Sequence, residues 1–212
     1  MDRSENTFNR IFRRGYALIF AFVFIFHAAF SAVPPLLMAN GASGTAVLIY
    51  KYYRLMCHQI PVRCYFLNGA QAWYPVTVKE GSGQMSFNEA AGADAGRGYD
   101  RGFYGNPAMG YRMAICQRDI AIYGAMALFC LVFLLSGCRI PQPRWIFPVL
   151  IGGLPIAADG ITQLLGHAFP AVFPLRESDP LLRTVTGALF GFCLCWYLFP
   201  LLEKSLQKGE NE

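Results

Sequence analysis

A thiol and an imidazole stand side by side at Cys57 and His58, and a second thiol and a carboxylate stand close together at Cys116 and Asp119. Thiolate sulfur, imidazole nitrogen and carboxylate oxygen are the usual ligands of zinc, and soft or borderline donors also suit other divalent transition metals. Two further pieces carry ionisable groups: Asp159 with Gln163, and Glu177-Ser178 ahead of Arg183 and Thr186. Paired acids suit general acid/base work when burial raises one of their pKa values, which makes Asp159 and Glu177 the candidate catalytic pair. Arg118 and Arg183 are candidate clamps for an anionic headgroup, with Gln163 and Thr186 as further substrate-binding contacts.

Each piece also has a plain structural reading. Cys57 is placed for a disulfide with Cys64 or Cys116 in an oxidising compartment. The absence of a CxxC weakens any thioredoxin-like role. Asp119 with Arg118 or Arg183 suits an ion pair that locks helices together. Glu177 complements the positive end of a following helix. Thr186, Gly187 and Gly191 are small residues of the sort that let helices approach closely.

The elements that must position these groups follow from composition. Of 212 residues, 55% are hydrophobic and 15% charged, with a mean hydropathy of +0.34; a soluble domain carries about a quarter charged residues. The chain therefore reads as an all-α integral membrane protein. Its net charge of +5 is scattered over termini and short loops, so nucleic acid is not an expected partner. Four apolar runs are long enough to span, at 15–38, 115–137, 145–166 and 181–202, since a crossing helix needs about 20 residues. The small residues at 28–32 offer a signal-peptide cleavage point as an alternative for the first run. That run exceeds an h-region of about 7–15 residues, so an anchor is expected.

Asp179 and Pro180 suit the N-cap and first turn of the last helix, and Pro155, behind Gly152 and Gly153, predicts a kink beside Asp159. A shorter apolar-aromatic stretch, 45–59, is interrupted by Lys51 and Arg54 and reads as an interfacial or re-entrant helix. The insert 65–110 is rich in Gly and aromatic residues and reads as an extracytoplasmic lid-like loop, with β-like runs at 72–78 and 84–87. A helical period through 112–123 would line up Arg112, Cys116, Asp119 and Tyr123. The whole of 1–212 is taken as a single membrane domain.

Orientation follows from Arg10, Arg13 and Arg14 before the first span, Arg139 and Arg144 between the second and third, and Lys204 and Lys208 after the last. These place both termini in the cytoplasm of a multi-pass cell-membrane protein. Every candidate site residue then falls on the opposite face, where a single polar pocket is expected.

The pieces CHQIPVR, CQRDIAIYGA, DGITQ, and ES followed by RTVTG resemble an uncharacterised family of bacterial and archaeal multispan membrane proteins, classed as a domain of unknown function. The resemblance implies a Cys-His plus Cys-x-x-Cys metal or thiol set, with Asp119 standing where the second cysteine of the latter would be. It implies a fold but names no activity. Three functions accord with the pattern. One is a metal-dependent enzyme acting on an anionic lipid or isoprenoid headgroup. Another is a metal-handling protein or transporter, against which the lack of an inverted repeat counts. The third is an accessory subunit or assembly factor whose polar motifs are structural, with membrane lipids and the other subunits of a membrane complex as partners.

Overall fold

The computed structural model describes residues 2–78, 81–174 and 176–209, with side chains described for 15–78, 81–174 and 176–206. The side chains of Arg10, Arg13, Arg14 and Lys208, which carry part of the orientation argument, lie outside the described residues. The architecture is that of an all-α membrane protein with a small sheet. Among the described residues, four helical stretches are long and apolar enough to cross a membrane: Gly15–Ala39, Gln117–Leu135, Ile146–Ala168 and Pro180–Leu206.

The chain divides into two compact units. The first holds Met1–His27, Ala121–Ser178 and Leu182–Glu212, and the second holds Ala28–Ile120 with Asp179–Leu181. The division falls inside helices α1 (Asp2–Phe30) and α5 (Gln117–Leu135) and at the start of α8 (Pro180–Gly209).

In the second unit, the chain breaks at Ser31 and Ala32 and resumes as α2 (Val33–Ala39). Pro34 and Pro35 explain the break, because a proline offers no N–H and its ring crowds the carbonyl four residues back. The carbonyl of Ser31 accepts a bond from Ala114 N–H at 2.9 Å. Helix α3 (Ser43–Tyr53) follows, ending short of the expected 45–59 stretch, and a 3-10 turn at Pro61–Arg63 leads into strand β1 (Cys64–Leu67). Helix α4 (Phe87–Ala91) opens on a capping box between Ser86 and Glu89. Strands β2 (Gly105–Asn106) and β3 (Gly110–Cys116) complete an antiparallel sheet in the order β1-β3-β2.

Two sequence expectations do not hold in the structure. The runs 72–78 and 84–87 are not strands: Pro75 cannot donate to a ladder, and Phe87 is the first residue of α4. The stretch 110–116 is strand, not helix, so no helical face joins Arg112 and Cys116 to Asp119, and the second span begins at Gln117. Burial alternates along β3 from Gly110 to Ala114, but it puts Arg112 on the buried side, so the residue types carry no apolar/polar alternation. Val62, Phe66, Tyr74, Phe87, Phe103 and Met109 form the apolar centre of this unit. The sheet itself admits little bulk, for a Cβ at Gly69 or Gly105 would collide with the backbone of Met109 or Gly110.

In the first unit, Ala17 and Ala21 of α1 pack with Phe129, Cys130 and Phe133 of α5 and with Cys195 and Phe199 of α8. Gly191 lets α8 close on α5, since a Cβ there would run into the backbone of Ile122. The third span is composite: α6 (Ile146–Pro148), a π-helical turn at Val149–Gly153, and α7 (Leu154–Ala168). The kink expected near Pro155 takes this form, because Pro155 supplies no N–H to the turn before it. Gly152 lies against Cys193 and the carbonyl of Leu189 on α8.

Candidate functional site

The structure gathers the chemistry-bearing residues into two groups, one in each unit.

In the unit built around the sheet, α3 ends at Tyr53, whose carbonyl accepts Cys57 N–H at 2.9 Å and so turns the chain back on itself. Gln59 holds this turn in shape. Its backbone lies in the left-handed region (φ 55°), uncommon for a residue with a side chain, and its side chain is fully buried. The Gln59 amide donates to the carbonyls of Tyr50 and Ala114, both at 2.8 Å, tying the turn to α3 and to β3 together. Arg112 backs the same turn. It is fully buried, with its guanidinium 4.9 Å from the Tyr50 ring centroid and 5.3 Å from that of Tyr104. It donates to the carbonyls of Phe103 at 2.8 Å and Arg101 at 3.0 Å, and more weakly to Gln59 Oε1 at 3.5 Å.

The turn brings Cys57, which is 6% exposed, against the end of β3. Its Sγ accepts the N–H of Cys116 at 3.3 Å and that of Gln59 at 3.4 Å. Asp119 sits in the first turn of α5, just beyond Cys116. The donor atoms of Cys57, Cys116 and Asp119 all lie within 4.8 Å of one another. Zinc bonds are about 2.3 Å to sulfur and about 2.0–2.2 Å to a carboxylate oxygen, so one ion fits among these donors with only a small closure. Two backbone N–H groups aimed at one sulfur are suited to orienting a thiolate, were one to hold a metal.

The Cys57 thiol is pushed well up from the ordinary thiol range, first by its hydrogen bond with the Cys116 thiol, then by burial and by the negative charge of Asp119. Would-be anions crowded this closely resist ionising together, and a divalent cation offsets that repulsion. Of the other expected ligands and bridges, His58 is exposed and stands outside the cluster. Cys64 faces Cys116 across the β1–β3 ladder with its Sγ directed at the carbonyl of Ile60, 3.3 Å away. No disulfide joins Cys57 to Cys64 or to Cys116. Arg118 is half-buried at the start of α5.

In the helical unit, α7 presents Asp159, Thr162, Gln163 and His167 toward the segment that precedes α8. Asp159 is 5% exposed. Its carboxylate accepts from the Ser178 hydroxyl, from Gln163 Nε2 at 3.0 Å and from Arg176 Nη1 at 3.3 Å. Gln163 Nε2 also reaches Ser178 Oγ at 2.6 Å, and Arg176 reaches the Thr162 hydroxyl at 2.7 Å. Glu177 is held at both oxygens: Oε2 by Arg183 Nη2 at 2.5 Å and Oε1 by His167 Nε2 at 2.9 Å. The Arg183 side chain is 3% exposed. Thr186 bonds back to the carbonyl of Leu182 in its own helix. Both candidate catalytic acids are thus committed to partners, as is the candidate headgroup clamp Arg183.

Several participants lie outside the candidate site residues read from sequence: Thr162, His167, Arg176 and Ser178 in the second group, and Gln59 and Arg112 in the first. The run Arg176-Glu177-Ser178-Asp179 carried a signal in its density of polar groups ahead of a span. Gln59 carried none, because a positive φ is invisible in a residue type that rarely adopts one.

Comparison with known proteins agrees that the chain is a membrane protein. Residues 100–197 are similar to a family described as "Predicted membrane protein (DUF2085)". That stretch contains Cys116, Asp119, Asp159, Glu177 and Arg183, whereas Cys57 lies before it. An uncharacterised protein of Methanocaldococcus jannaschii is 26% identical over 167 residues, spanning 77% of this chain and 74% of its own length. No solved structure is significantly similar to the chain.

Proposed function

We propose that this membrane protein binds a transition metal, zinc foremost, through Cys57, Cys116 and Asp119. The single observation carrying this reading is that these donor atoms lie within 4.8 Å of one another while backbone N–H groups converge on the Cys57 sulfur. Three protein ligands with a fourth position open is the donor count of catalytic zinc sites, whereas structural sites close all four. A metal held this way supplies Lewis-acid polarisation of a substrate oxygen. The chain's own part is to fix the donors: Gln59 and Arg112 set the turn that carries Cys57, and β3 and α5 set Cys116 and Asp119. The basic residues flanking the spans put the termini and the loop containing Arg139 and Arg144 in the cytoplasm, which leaves this centre on the outer face. A substrate reaching it, such as an anionic lipid headgroup, would meet the adjacent Arg118.

The second group is better read as a structural latch. In it Arg183 and Arg176 are already paired with Glu177 and Asp159, leaving the acids engaged rather than available for proton transfer. That arrangement favours the part of the accessory-subunit reading in which polar motifs stabilise the bundle.

Metal analysis of purified protein tests the centre. The parent is expected to retain about one zinc per chain, and Cys57→Ser, Cys116→Ser and Asp119→Asn to lose it while remaining folded, as judged by helical circular dichroism. His58→Ala is expected to keep the metal. Equal metal content in the parent and the cysteine variants ends the proposal.

A further inference from the structure

An apolar groove of about 240 Å³ runs along the helical unit, walled by Trp145, Val149 and Gly153 on one side and by Phe190, Leu194 and Tyr197 of α8 on the other. The π-helical turn at Val149–Gly153 displaces the backbone from regular α-helix, and Gly153 contributes no side chain, so the two walls do not meet. The volume is below the roughly 300–1,000 Å³ of pockets that enclose whole drug-sized ligands. It suits a stretch of hydrocarbon chain, which is what surrounds the spans of a membrane protein.

One end of the groove is cationic. Arg144 directly precedes Trp145 in the exposed loop that also carries Arg139. On α8, Phe190, Leu194 and Tyr197 recur at helical spacing, and Lys204 lies two turns beyond Tyr197 on the same face, about 10 Å further along the axis. Lys204 Nζ donates to Gln142 Oε1 at 2.9 Å, which holds the ammonium beside the loop that carries Arg144. Glu203, the neighbouring acid, is 5% exposed and accepts from the Tyr16 hydroxyl at 3.2 Å, whereas the Lys204 ammonium reaches the loop. Trp145, at the mouth, is of the type enriched at the headgroup level. Basic pockets between membrane helices are known recognition devices for anionic phospholipid headgroups.

We infer that this groove is a site for one anionic phospholipid, with an acyl chain lying between the π-helical turn and α8 and the phosphate held by Arg144 and Lys204. It rests on residues other than Cys57, Cys116 and Asp119 and stands whether or not those residues hold metal.

The test uses the full chain in bilayers, with Trp73→Phe and Trp196→Phe leaving Trp145 as the reporter. Quenching is followed as brominated phosphatidylglycerol replaces unlabelled phosphatidylcholine, and the series is repeated with brominated phosphatidylcholine in unlabelled phosphatidylglycerol. Two nearby cations predict a preference for the anionic lipid of about 10- to 30-fold. Arg144→Gln with Lys204→Gln should bring that preference close to one. Gly153→Leu should lower it as well by filling the groove; a Cβ at Gly153 meets nothing within 4 Å, so the variant is expected to fold. Equal quenching by the two lipids in the parent, or a preference unchanged in both variants, overturns the inference.

Discussion

The pair Arg183–Glu177 offers the sharpest test of how the helical unit is held. The guanidinium is 3% exposed and the carboxylate 12%, with 2.5 Å between Nη2 and Oε2, and the other carboxylate oxygen is bonded to His167. Glu177→Gln keeps the volume and removes the charge, leaving the arginine buried against a neutral amide. Breaking a buried pair by removing one partner costs about 3–5 kcal/mol. Because Glu177 retains some contact with water, the lower end is expected, about 3 kcal/mol. For a protein of this size each kcal/mol moves the melting temperature by about 2–4 °C, so the midpoint should fall by about 6–12 °C. The double variant Glu177→Gln with Arg183→Met should recover most of that loss, since an apolar replacement of a buried pair is often neutral or better. Thermal unfolding in one fixed detergent, followed by circular dichroism for the parent, both single variants and the double, gives the coupling directly. If the double variant melts as low as Glu177→Gln, the pair is not acting as a unit and the latch reading is wrong.

Gly191→Val should destabilise the helical unit by at least about 1–3 kcal/mol, because the added carbons meet the backbone of Ile122, which cannot rotate aside; the same melting assay reads it. Gln59→Ala removes the donor to two buried carbonyls, Tyr50 O and Ala114 O, each costing about 1–3 kcal/mol when left unmet. Zinc affinity should fall at least tenfold in that variant although every ligand remains, as measured by chelator competition. The pH dependence of that affinity has a definite sign. Cys57 holds its proton above the ordinary thiol range, so metal binding must release it and affinity should rise between about pH 6.5 and about pH 8. A flat profile would show that no thiol proton is displaced. Ser86→Ala opens the capping box of α4 and should cost about 0.5–2 kcal/mol without altering zinc content.

Much of this protein is written in local pattern. The four spans are set by runs of apolar residues long enough to cross hydrocarbon, a property that needs no tertiary information. The start of the last helix at Pro180 and the irregular turn ahead of Pro155 follow from the missing proline N–H. The proximity of Cys116 and Asp119 in sequence already placed two candidate metal donors within a few residues. What only tertiary structure decided is which distant groups meet and which are already engaged. Periodicity could not distinguish strand from helix across 110–116, because Arg112 is buried where a polar stripe would leave it open, and that burial is repaid by ring faces and carbonyls from elsewhere in the chain. The arrival of Cys57 at Cys116 rests on a left-handed Gln59 whose amide spans α3 and β3. The engagement of Glu177 by Arg183 and His167, and of Asp159 by Ser178 and Arg176, likewise depends on side chains drawn from separate segments. A sequence states which groups are present and how far apart they lie along the chain. Whether a buried charge meets a metal, a substrate or a counter-ion is decided by three-dimensional neighbours, since a charge removed from water is stable only with partners that folding brings to it.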